Sequence, residues 1–232
     1  MSNKFLPVDI NVKLAVDTDT VKKCIIKNVS TIPVRLDRVF YPNGYEAYII
    51  SAGPSMEKYV KELGLKEKMK HPNRGFVVFR VKHALPRLMA MGIEPDFCVI
   101  LDSRDLDKDS THGVNRKSLF EKIPEKTIFM VASMSNPGYA EHLLSNGARV
   151  VGWHTEVTGL KDLGALIRPP VLTGGTSSGT RSISIAHSLG IRKITLVGFD
   201  SCVENTPEKA LEKDSNGKLK YVKLDLPVLK LS

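Results

Sequence analysis

Six short apolar runs alternate with helical stretches through the middle of this chain, and that alternation constrains its fold more than any other feature. The runs are Ala47–Ser51, Gly75–Val81, Phe97–Leu101, Thr127–Ala132, Arg149–Trp153 and Lys193–Gly198, rich in Val, Ile and Phe and apolar on both faces. Strands covered from both sides read this way. Between them the spacing predicts helices over Met56–Leu63, His83–Met91, Pro137–Ser145 and Ser178–Leu189. Gly64, Gly92, Gly147 and Gly190 each stand just past a helix end, where a left-handed residue stops the helix at least cost. The expected fold is α/β, a doubly wound, mostly parallel Rossmann-like sheet with helices on both faces.

The punctuation divides the chain into three segments. Residues 45–202 hold the alternation and form the expected Rossmann-like nucleotide-binding domain. Residues 1–44 read as an N-terminal segment packed on it; within them Val21–Val29 suits an amphipathic helix or a strand equally well, and Pro33 and Pro42-Asn43-Gly44 interrupt the stretch leading into the first strand. Residues 203–232 change character: Asn216-Gly217 marks a hairpin turn, and the last residues lack a clear ending, as in a chain that continues.

Composition narrows the function. With 42% hydrophobic and 25% charged residues, the 232-residue chain suits one sizeable soluble domain. It has no apolar run of about 18 residues to span a membrane, and Met1-Ser2-Asn3-Lys4 opens no signal peptide. Cys24, Cys98 and Cys202 are too few and too scattered for a disulfide frame or zinc site, which points to the cytoplasm. The net charge of +9 attracts anionic partners. Its lysines and arginines are interleaved with acids, and only 6% of residues are aromatic, which argues against nucleic acid and for a small nucleotide.

In an open parallel sheet, ligands collect where strands end. Ser51-Ala52-Gly53-Pro54-Ser55 comes after the first strand as a strand–turn–helix elbow, with Gly53 to bend, Pro54 to set φ and Ser55 to cap the helix or meet a phosphate. Gly174-Gly175-Thr176-Ser177-Ser178-Gly179 sets paired glycines and three hydroxyls before another helix. It is no Walker loop, because it lacks a Gly-Lys-Ser or Gly-Lys-Thr ending. Asp102, Asp105, Asp107 and Asp109 crowd one loop as candidate Mg²⁺ ligands, and Asp102 at its strand end and Asp200 after the last strand are the best placed. Arg104 and Lys108 partly neutralise that loop. Lys82 can put a cation on a phosphate, whereas His83 reads as a helix-start histidine rather than an acid or base. No Gly-x-Ser-x-Gly elbow supports a hydrolase triad.

Taken in order, Ser51-Ala52-Gly53-Pro54-Ser55, Gly92-Ile93-Glu94-Pro95-Asp96 running to Asp102, Gly174-Gly175-Thr176-Ser177-Ser178 and Leu196-Val197-Gly198-Phe199-Asp200 resemble the MptE-like family. That family takes its name from archaeal 6-hydroxymethyl-dihydropterin diphosphokinase and includes motility accessory factors linked to flagellin glycosylation. The usual first elbow is Gly-x-Gly-Pro-Ser-Leu; here Ser51 and Met56 replace its first and last residues. A more distant likeness is to bacterial family-42 sialyltransferases. Their Phe-Arg-x-Asn segment appears here as Phe79-Arg80-Val81-Lys82, and their late catalytic histidine has no evident match in Val203–Ser232.

The resemblance implies a nucleotide-dependent transferase acting on a hydroxyl acceptor. In the leading, diphosphokinase form, ATP and Mg²⁺ bind and a small hydroxymethyl acceptor such as a pterin takes the diphosphate. Asp102 and Asp200 hold the metal, Gly53, Pro54, Ser55 and Gly174, Gly175, Thr176, Ser177 and Ser178 cradle phosphates, and Lys82 and Arg104 offset developing charge. The alternatives are a glycosyltransferase using a nucleotide-activated sugar, which drops the metal and needs a base, and a non-catalytic nucleotide-binding module.

Overall fold

The computed structural model describes residues 16–108, 115–157, 163, 166–167 and 170–200, together with the backbone of 209–213 and 219–223. Seven parallel strands form one sheet: β1 (Glu46–Ile50), β2 (Phe76–Val81), β3 (Phe97–Ile100), β4 (Ile128–Ala132), β5 (Arg149–Thr155), β6 (Val171–Leu172) and β7 (Lys193–Val197), in the order β6-β5-β4-β3-β2-β1-β7. The expected α/β architecture is the one observed. β6 went unread in the sequence because its two residues carry no periodicity.

The runs are apolar on both faces because helices cover both. On one face Ala47, Ile49, Phe79, Val99, Met130 and Trp153 pack against Ile185 and Ala186 of α6 (Ser178–Ser188). On the other, Ile50 and Val78 meet α2 (Met56–Glu62), α3 (Leu65–Lys68) and α4 (Leu85–Ala90), while Cys98, Ile100, Phe129 and Val131 meet α5 (Pro137–Ser145). Each large apolar side chain fully buried here contributes about 1.5–3 kcal/mol. The four glycines past the helix ends all have positive φ, from 59 to 84°. At Gly190 a side chain would also run into the Tyr41 carbonyl.

The ambiguous N-terminal stretch is helical. α1 (Thr18–Thr31) starts at Asp17, whose carboxylate accepts the Thr20 N–H at 2.8 Å, and it buries Val21, Cys24, Ile25 and Asn28 at helical spacing. Asn28 Nδ2 donates to the Ser133 and Ser135 carbonyls at 2.8 and 2.7 Å, fixing the helix to the turn after β4. Near the C-terminus, β8 (Lys209–Lys213) and β9 (Leu219–Lys223) pair antiparallel; the expected turn at Asn216-Gly217 lies outside the described residues.

The order of strands decides where a ligand can enter. From β1 the chain steps outward through β2 to β6, then α6 carries it back over the sheet face to β7, on the far side of β1. The direction of winding reverses between β1 and β7, and the crevice over that point is the natural ligand site of an open parallel sheet.

Candidate functional site at the switch point

A cleft of about 900 Å³ opens over the carboxyl ends of β1, β2, β3 and β7. Ser51–Gly53, Val81–His83, Leu101, Asp102, Arg104, Gly198 and Phe199 form its floor and sides, and Thr176–Thr180 at the start of α6 forms its rim. The two glycine-and-serine bends, more than a hundred residues apart in sequence, thus face the same space. Gly53, Lys82, Asp102, Arg104, Thr176, Ser177 and Ser178 line it, whereas Pro54, Ser55, Gly174, Gly175 and Asp200 do not.

Asp102 is the centre of the floor and is 5% exposed. Its backbone is held on both sides: the N–H donates to Ser135 Oγ at 3.3 Å, and the carbonyl accepts the Asn136 N–H at 2.8 Å. Arg104 grips the carboxylate with Nε to Oδ1 at 2.8 Å and Nη2 to Oδ2 at 3.1 Å. Lys82 Nζ donates to Oδ2 and to the Tyr139 hydroxyl at 3.1 Å, and Arg116 Nε lies 3.7 Å from Oδ2. Below, the buried Arg80 donates to the Lys82 carbonyl at 3.0 Å and so fixes the turn that aims Lys82. Burial pushes the Asp102 carboxyl up, but the Arg104 and Lys82 contacts outweigh it and hold the pKa at about 2. Burial lowers Lys82, with Asp102 opposing, and raises Tyr139. One carboxylate set among Lys82, Arg104 and Arg116 leaves the floor net positive.

The β1 elbow is filled by the chain itself. Ser55 does not cap α2: its φ and ψ are helical, at −71° and −10°, and its hydroxyl donates to Asp200 Oδ1 at 2.5 Å. The Ser55 N–H donates to Asp200 Oδ2 at 2.8 Å. The carboxylate of β7's exit therefore sits where an anion would bind. Gly53 serves the same contact, since a Cβ there would lie 2.5 Å from the Gly198 carbonyl and against the Asp200 carboxylate. The expectation that Ser55 caps the helix is replaced by this internal pairing, which also occupies the Ser55 donors expected to meet a phosphate.

The α6 rim is open. Ser177 and Thr180 form a reciprocal capping box, with Thr180 N–H to Ser177 Oγ and Ser177 N–H to Thr180 Oγ1 both at 3.2 Å. Gly174 and Gly175 turn the chain into it at φ of 97 and 71°, and a side chain on Gly175 would overlap Thr180. The Ser178 and Gly179 N–H groups have no acceptor among the described residues, so the first turn of an 11-residue helix offers free donors and its positive dipole end to the cleft.

A divalent cation fits this donor set poorly. Both oxygens of Asp102 are engaged by cationic side chains and both of Asp200 by Ser55. No group of three His, Cys, Asp or Glu suited to a metal occurs among the described residues. Asp107 pairs with Lys117 at 3.1 Å and Asp105 with Lys108 at 3.8 Å, while Asp109 lies outside the described residues. Arg116 and Tyr139 went unnoticed in the sequence. The usable signal was topological: β3 and β4 are neighbours, so the turn leading to α5 must lie beside Asp102.

Fold and cleft together define a Rossmann-like α/β protein with a cationic pocket at its switch point. The description "6-hydroxymethylpterin diphosphokinase MptE-like" matches residues 23–206, and the chain belongs to this MptE-like family. Among solved structures it is similar to the MAf glycosyltransferase from Magnetospirillum magneticum AMB-1, at 14% identity and a TM-score of 0.57. That match covers 91% of this chain and 33% of the other, so the chain spans about a third of that protein and the likeness is one of fold. A comparison with curated proteins gives no match. No helix among the described residues is long and apolar enough to cross a membrane.

Proposed function

We propose that this chain is a nucleotide-dependent transferase whose donor places its phosphates between the α6 rim and the Lys82–Arg104 floor without a divalent cation. The observation that carries this reading is the surplus of positive charge: Lys82, Arg104 and Arg116 surround a single carboxylate, and free helix N–H groups face the same cleft. Such groups bind a phosphate and stabilise the negative charge that grows on it as it leaves. Because Asp102 is spent on these cations, its role is to fix and aim them. The reading this geometry supports best is therefore transfer of a sugar from a nucleotide-activated donor to a hydroxyl, in keeping with the glycosyltransferase whose fold the chain shares. The second reading, diphosphate transfer from ATP, draws on the family description.

A thermal-shift panel of CMP, UDP, GDP and ATP, each in EDTA and in Mg²⁺, separates them. A ligand at about a hundred times its Kd stabilises the protein by about 2.7 kcal/mol. The expected result is a raised midpoint with CMP, UDP or GDP in EDTA. A response to ATP alone, present only with Mg²⁺, transfers the assignment to the diphosphokinase, and flat curves throughout overturn nucleotide binding.

A further inference from the structure

Four ionisable side chains line the cleft: Lys82, His83, Asp102 and Arg104. Three of them are locked to one another. Asp102 is too weak a base to take a proton from a hydroxyl, and Lys82 and Arg104 are its cationic partners. Tyr139 behind them is engaged with both Lys82 and Asp102. His83 differs. It comes directly after Lys82 in the 3-10 turn that leads into α4, it lines the cleft, and it makes no hydrogen bond or ion pair within the described residues.

We propose that His83 is the general base of the transfer, accepting the proton of the acceptor hydroxyl. This rests on the reading of the cleft as a phosphate-bearing donor site. In the step, the acceptor oxygen bonds to the transferred group while its proton passes to an imidazole nitrogen of His83. The bond from that group to the donor phosphate oxygen breaks, and its electron pair stays on the phosphate, beside Lys82 and Arg104. The charge balance is local: one imidazolium and one additional phosphate charge form together.

The ring is also coupled to the donor. Desolvation by the surrounding protein lowers the His83 pKa to about 4, with the Lys82 charge next in weight; Arg104 and Arg116 act the same way and Asp102 opposes them. An anion seated on Lys82 and Arg104 offsets the cationic part of that shift, while the desolvation part stays, so donor binding makes His83 a stronger base. Proton transfer is thereby tied to a bound donor.

The test combines NMR titration and kinetics. In ¹⁵N-histidine-labelled protein, with His83→Gln used to assign the signal, the His83 titration is recorded without ligand and with saturating inorganic pyrophosphate in EDTA, binding being checked by calorimetry. The midpoint is expected to rise by about 1 pH unit on binding. With the nucleotide donor that answers in the thermal panel, His83→Gln is expected to lower kcat by about 10²- to 10⁴-fold while donor Kd changes less than about twofold. If pyrophosphate binds and the His83 midpoint stays in place, or if His83→Gln retains kcat, the base assignment is overturned while the donor site stands. If neither pyrophosphate nor any nucleotide binds, the donor site fails and the base falls with it.

Discussion

Asp102 and Asp200 have the same standing in the sequence, each an aspartate at the carboxyl end of a parallel strand, yet the structure gives them opposite surroundings. Asp102 is buried under three cations and fixes the floor of the cleft. Asp200 is exposed and closes the elbow after β1 by accepting both donors of Ser55. One carboxylate gathers positive charge at the floor of the cleft, and the other fills a turn of the chain itself. A strand-end aspartate therefore says where a site is, and only its partners say what it does there.

Removing the charge of Asp102 should produce the largest effect. Asp102→Asn leaves Lys82 and Arg116 buried without their counterion, and the expected loss is about 3–5 kcal/mol in urea unfolding. A loss below about 1 kcal/mol would mean that the cluster is not holding the floor. Acid titration of the native protein is the next largest. The Asp102 pKa is depressed to about 2 from 3.8, so its contribution to stability is complete above pH 4 and is lost as pH falls toward 2. That contribution is on the order of 2 kcal/mol, and the pH dependence of unfolding over this window should flatten in Asp102→Asn. At Asp200 the effect on stability should be the smallest, since the group is exposed. Asp200→Asn is expected to move the apo thermal midpoint far less than Asp102→Asn does.

Much of this architecture was legible in the sequence. The apolar runs located every strand of the sheet except β6, and the glycine stops located the helix ends, because both patterns are local. α1 stayed ambiguous because Val21–Val29 carries apolar residues at spacings that suit either period. The pairings that define the site were hidden for another reason. Ser55 meets Asp200 across 145 residues, and Lys82 meets Tyr139 across 57. Such contacts arise from strand order, which composition and spacing do not encode. His83 was read as structural because a histidine after a lysine at a strand end carries no pattern of its own; its lack of partners becomes visible only with the walls of the cleft in place.

The most direct measurement is an amide NMR titration with inorganic pyrophosphate in EDTA. With the elbow plugged by Asp200 and the α6 rim open, Ser178 and Gly179 should show the large, saturable shifts while Ser55 stays nearly still. Large shifts at Ser55 with a quiet α6 rim, or no saturable shift until Mg²⁺ is added, would contradict the account.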